Sequence, residues 1–119
     1  MRREVMDNLD LKCAELGSAL AGDNVGEKTL TDGLSVLEEQ GVYAFFLFLE
    51  ARAGDNGKKV SSRCAQFLEN MALLEAGKPL TTLHKLAEDL DKLLFAWDLL
   101  RQSLVYGRYH AKSSNGGKA

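Results

Sequence analysis

Seven apolar residues late in the chain fall at alternating intervals of three and four: Leu83, Leu86, Leu90, Leu93, Trp97, Leu100 and Leu104. A helix completes a turn every 3.6 residues, so this rhythm marks one continuous helix face. Thr81 or Thr82 supplies a cap, and the pattern reaches about Lys112. The predicted helix is ~30 residues and roughly 45 Å long at 1.5 Å per residue. Leu94, Phe95 and Leu99 widen its stripe.

The rest of the chain offers partners of the same kind. With Pro79 its only proline, it has little to interrupt helices. Val5, Leu9, Cys13, Leu16 and Leu20 give a helix over about residues 2–20, broken at Gly22-Asp23-Asn24. Thr29 and Asp32 stand at N-cap and N3 spacing and predict a second helix with Leu30, Leu34 and Leu37 inward. Gly41 would cap its end. Val42 to Leu49 are eight apolar residues in a row. A strand there would find no second strand to pair with, so the run predicts a helix over 42–53, packed on every side at the centre. Gly54-Asp55-Asn56-Gly57 predicts a turn, and Val60, Cys64, Phe67, Met71 and Leu74 a helix over 59–74. The expected fold is all-α: a compact bundle of four to six helices with a long C-terminal helix, one domain over residues 1–112, and a flexible tail over 113–119.

A chain of 119 residues, 45% apolar, can bury a core without metals or disulfides. The start, Met1-Arg2-Arg3-Glu4, is not followed by the uninterrupted apolar region of a signal peptide. The longest apolar run is far below the ~20 residues needed to span a bilayer. Two cysteines are too few for a disulfide framework, and both sit on apolar stripes, so Cys13 and Cys64 read as buried thiols in a reducing cytosol.

No catalytic constellation stands out. Gly54–Lys58 lacks the spacing and the preceding strand of a phosphate loop. His84 and Glu88 share a helix face but lack the repeated Glu-x-x-His motifs of a helical metal centre. Cys13 and Cys64 would each need a histidine base, and both point to the core. Glu88, Asp89 and Asp91 read as a solvated face at a helix start. No enzyme, metal site or cofactor is expected.

Charge is distributed unevenly. Residues 1–50 carry a net charge of −6 and residues 51–119 one of +4. From Arg101 to Ala119 there are four bases and no acid; Arg101, Arg108 and Lys112 share a helix face with Tyr106, Tyr109 and His110 among them. Bases interleaved with aromatics suit phosphate contact and base stacking. Arg52, Lys58, Lys59 and Arg63 form a second group. Bases near a helix C-terminus also simply answer the helix dipole, so the residues alone leave both readings open.

The stretch Leu34-Ser35-Val36-Leu37-Glu38-Glu39-Gln40-Gly41-Val42-Tyr43-Ala44-Phe45-Phe46-Leu47-Phe48-Leu49 resembles the small helical subunit of type III CRISPR effector complexes, chiefly the type III-B kind. Those proteins share an amphipathic helix, a polar-glycine break and an apolar helix ending near a small loop. Gln40 departs from the asparagine often found before that glycine. The match is specific over Leu30 to Gly54; beyond it lie only similar length, helix order and a basic-ended last helix. The resemblance implies a non-catalytic, cytoplasmic subunit stacked in several copies. It would contact guide RNA and target RNA through basic surfaces and touch other effector-complex subunits. A helical adaptor or oligomerisation module without nucleic acid is the alternative.

Overall fold

A computed structural model describes the backbone of residues 2–118 and the side chains of residues 8–78 and 80–113. Among the described residues six helices follow one another: α1 (Arg2–Gly22), α2 (Glu27–Gln40), α3 (Val42–Arg52), α4 (Gly54–Asn70), α5 (Pro79–Ala87) and α6 (Leu90–Lys118). No strand occurs among the described residues. This is the expected all-helical bundle with a long C-terminal helix. Beyond Ser113, the tail expected over 113–119 lies outside the described side chains. The 29 residues of α6 span ~43 Å. They therefore set the long axis of a molecule measuring 46 × 39 × 24 Å. Its radius of gyration, 13.8 Å, is close to the ~13.5 Å of a compact domain of this length.

α1 and α6 run in the same direction. Cys13 directs its thiol at the Leu99 carbonyl, 3.5 Å away, and Gly17 lies against Ser103 and Gly107. Residue numbers therefore climb together along the seam. α2 runs the other way. The Trp97 indole N–H donates to the Leu37 carbonyl at 2.8 Å, and Leu30, seven residues before Leu37, lies over Gly107, ten residues after Trp97. Apolar side chains from all six helices, including Leu20, Leu37, Phe45, Leu68, Leu83 and Leu100, are buried together in one core.

Several expected boundaries shift. α2 begins at Glu27 after Gly26, whose φ is +91°. The Leu30 N–H already bonds the Gly26 carbonyl, so Thr29 and Asp32 lie inside the helix and cap nothing. The expected turn at 54–57 is the first turn of α4: Gly54 makes the corner alone at φ +63°. A Cβ on Gly57 would meet the Leu49 carbonyl at 2.3 Å, so α4 presses on α3 at a place only glycine permits. α4 stops at Asn70, where Ala72 at φ +60° reverses the chain. Before α5 the N-cap is Lys78 with Pro79 at the first position, and neither Thr81 nor Thr82 takes that place.

Two corrections concern packing. The predicted 30-residue helix is two helices, α5 and α6, divided at Glu88-Asp89. Leu90 follows the break and is 64% exposed despite its place in the rhythm, and Leu94 and Phe95 are exposed with it. α3 is not packed on every side. Val42, Phe45, Phe46 and Leu49 are buried, but Tyr43 and Leu47 face outward. Its neighbours α2, α4, α5 and α6 do not cover these two residues. Trp97, expected mid-core, is half-buried and anchored by its hydrogen bond to α2.

Candidate nucleic-acid interface

The antiparallel seating of α2 on α6 brings the acidic start of α2 beside the basic end of α6. Glu27, Val105, Arg108, Tyr109 and Lys112 line one cavity of about 240 Å³. In the α1–α2 turn, Asp23 lines a more open cavity with Lys58, Lys59, Ser62 and Arg63. Asp23 and Glu27 are four residues apart on that turn. The two basic groups, separated by some fifty positions in sequence, therefore each lie beside an acid of a single connection.

The seven expected RNA-contacting residues do not share one fate. Arg101 is removed from its group: its Nε donates to Glu38 at 3.2 Å. That contact follows from the register that sets Trp97 on Leu37. Arg63 is bonded twice to Asp23, through Nε and through a second N–H at 2.9 Å. The Arg63 hydrogen bond holds the Asp23 carboxyl below its ordinary value of 3.8, and the same contact raises Arg63. Arg52, Lys58, Lys59, Arg108 and Lys112 make no ion pair among the described residues. Arg108 is half-buried, and its Nε is closed off from solvent with no hydrogen-bond partner among the described residues. Arg52, Lys58, Lys59 and Lys112 are exposed.

The chain matches no protein-family model, no curated protein and no solved structure.

Other candidate chemistry resolves simply. Burial pushes the Cys64 thiol up to about 12, and burial raises Cys13 also. Both cysteines are unpaired and buried. His84 is exposed, its ring 5.5 Å from that of Tyr43. Among the described residues no group of three or more His, Cys, Asp or Glu could hold a metal, and no helix is long and apolar enough to cross a membrane. A groove of about 470 Å³ runs between α1 and α4 from Lys12 to Arg63, with Leu16 and Phe67 among its lining residues. Sequence reasoning missed the two acids. Asp23 and Glu27 sit in a turn and a helix start, and only the tertiary fold reveals that each faces a basic group.

Proposed function

We propose that this chain is a non-catalytic small subunit of a type III CRISPR ribonucleoprotein effector complex. It works in the cytoplasm, stacks in several copies beside other subunits, and contacts guide and target RNA through basic surfaces. The observation that carries the RNA contact is the placement of Lys58 and Lys59 beside Asp23, and of Arg108 and Lys112 beside Glu27, all without ion-pair partners among the described residues. The CRISPR assignment rests on the resemblance over Leu30 to Gly54. Stacking is supported by the way charge separates along α6. Asp91 and Asp98 lie toward one end, with Glu38 and Glu39 of the antiparallel α2, and Arg108 and Lys112 lie toward the other.

The test is the salt dependence of binding to a guide–target RNA duplex, at low salt with protein in excess. Each lost phosphate contact reduces the slope of log affinity against log salt by about 0.7–0.9. Reversing Lys58 with Lys59, or Arg108 with Lys112, should lower the slope by roughly 1.4–1.8. Unchanged affinity and slope in both double variants overturn the RNA contact.

One observation favours the adaptor reading. Tyr43, Leu47, Leu90, Leu94 and Phe95 are all exposed, and large apolar side chains on a surface mark protein-binding sites when they are contiguous. Loss of self-association or partner capture on changing these residues, with no RNA binding by the unaltered chain, would decide for it.

A further inference from the structure

The cavity between the start of α2 and the last turns of α6 has the build of a discrete seat. Arg108 and Lys112 stand one helical turn apart on its wall. The Arg108 Nε is closed off from solvent, so the outer nitrogens of this half-buried guanidinium, which make no ion pair among the described residues, are the ones left to meet a ligand. A guanidinium fork beside an ammonium suits phosphate oxygens. α2 begins on the same wall without a side-chain cap, and its dipole adds positive potential. At about 240 Å³ the cavity is smaller than the roughly 300–1,000 Å³ of pockets that enclose a whole ligand. It has room for a phosphate and part of a sugar, and the base must stay outside. There the Tyr109 ring is 69% exposed, a flat surface on which a base can stack. Bases inside a duplex already have both faces covered, so such a stack requires an unpaired base.

We propose that this cavity seats one nucleotide of single-stranded RNA, its phosphate held by Arg108 and Lys112 and its base stacked on Tyr109. The proposal rests on the reading of the chain as RNA-binding and narrows it to an unpaired strand. Glu27 is the opposing element: its carboxylate on the cavity wall repels the phosphate and moderates affinity.

The experiment uses the full chain and three probes: a fluorescent single-stranded oligouridine, the same strand annealed to its complement, and inorganic phosphate. Binding is read by anisotropy and by the amide resonances of Glu27 and Tyr109. The single strand should move both resonances. Tyr109→Ser should weaken it about fivefold to a hundredfold, as loss of a stacked base does, while Tyr109→Phe binds as the unaltered chain does. Arg108→Gln should weaken the strand and Glu27→Gln should tighten it. Duplex binding should ignore Tyr109. If RNA binds but Tyr109→Ser and Glu27→Gln leave the single strand unaffected, the seat is refuted and RNA binding stands. If inorganic phosphate at equal concentration moves the resonances as far as the strand, the cavity is a plain anion site and the strand proposal falls. If neither form of RNA binds, the seat and the RNA reading fall together.

Discussion

Gly17 leaves a space that α6 fills. A Cβ there would stand 2.7 Å from the Gly107 nitrogen and 2.9 Å from the Ser103 carbonyl oxygen. Neither atom belongs to a movable side chain, so Gly17→Ala must push two helices apart. Overpacking of this kind costs about 1–3 kcal/mol, against a domain stability of roughly 5–15. The midpoint of thermal unfolding should fall clearly, while Gly22→Ala, with nothing within 4 Å of its Cβ, leaves it nearly unchanged. Cys64 supports a second prediction. Its thiol is pushed up to about 12 from an ordinary 9.0. Between those values the unfolded chain releases a proton that the folded chain retains. Stability is therefore full below pH ~9 and falls above it by up to about 1.4 kcal/mol per pH unit. Cys64→Ala should flatten that alkaline decline relative to the unaltered chain. Native protein at pH ~8 should resist thiol reagents at both cysteines; rapid labelling of either would contradict their burial.

The break between α5 and α6 shows why element boundaries escaped the pattern of leucines. Leu86 and Leu90 are four apart and keep the rhythm, yet α5 ends at Ala87 and Asp89 starts the next helix. Its side-chain oxygen accepts the Lys92 N–H at 3.1 Å, and its carbonyl accepts the Leu93 N–H. That is N-cap geometry, and Asp89→Ala should cost about 1 kcal/mol. Asp91→Ala, one residue into the helix, should cost only a few tenths of a kcal/mol. Equal effects from the two in urea unfolding would show that Asp89 acts by charge alone. Periodicity records which residues are apolar, not whether a polar residue between them folds back on the backbone. The same limit explains α3. Eight apolar residues predicted a helix, and a helix formed, but only tertiary contacts decide that Tyr43 and Leu47 remain outside. Helix type and the buried Cys13, Leu16, Leu20, Leu30, Leu34, Leu37, Val60 and Cys64 were legible because they depend on local spacing, whereas in α4 Leu68 is buried where Phe67 was expected, and Met71 and Leu74 lie past its end. The ion pairs that claim Arg63 and Arg101 were not, since their partners Asp23 and Glu38 lie forty and sixty-three positions away.

At the scale of the whole molecule, α6 is a rod with charge of opposite sign toward its two ends, and exposed Leu90, Leu94 and Phe95 sit near the acidic one. A contact between the acidic end of one copy and the basic end of the next uses two different surfaces, so it does not close on itself and builds a row. RNA contact and stacking would then draw on the same bases, Arg108 and Lys112, but stacking alone would need the acids and the apolar residues. Changing Leu94 to Glu together with Asp98 to Lys alters a surface that the RNA reading does not use. Exposed substitutions usually move stability by within ~0.5 kcal/mol, so the fold should survive. Sedimentation should show weaker self-association, while single-molecule RNA affinity at low protein concentration stays the same. Reversal of Lys58 and Lys59 should give the converse, weaker RNA binding with self-association intact. Raising the salt should weaken both, because both pair charges exposed to solvent. If the Leu94 and Asp98 variant self-associates as the unaltered chain does, the row is not built through the acidic end. If it binds RNA less tightly at concentrations where the chain is monomeric, the two surfaces are one, and RNA contact extends the full length of α6.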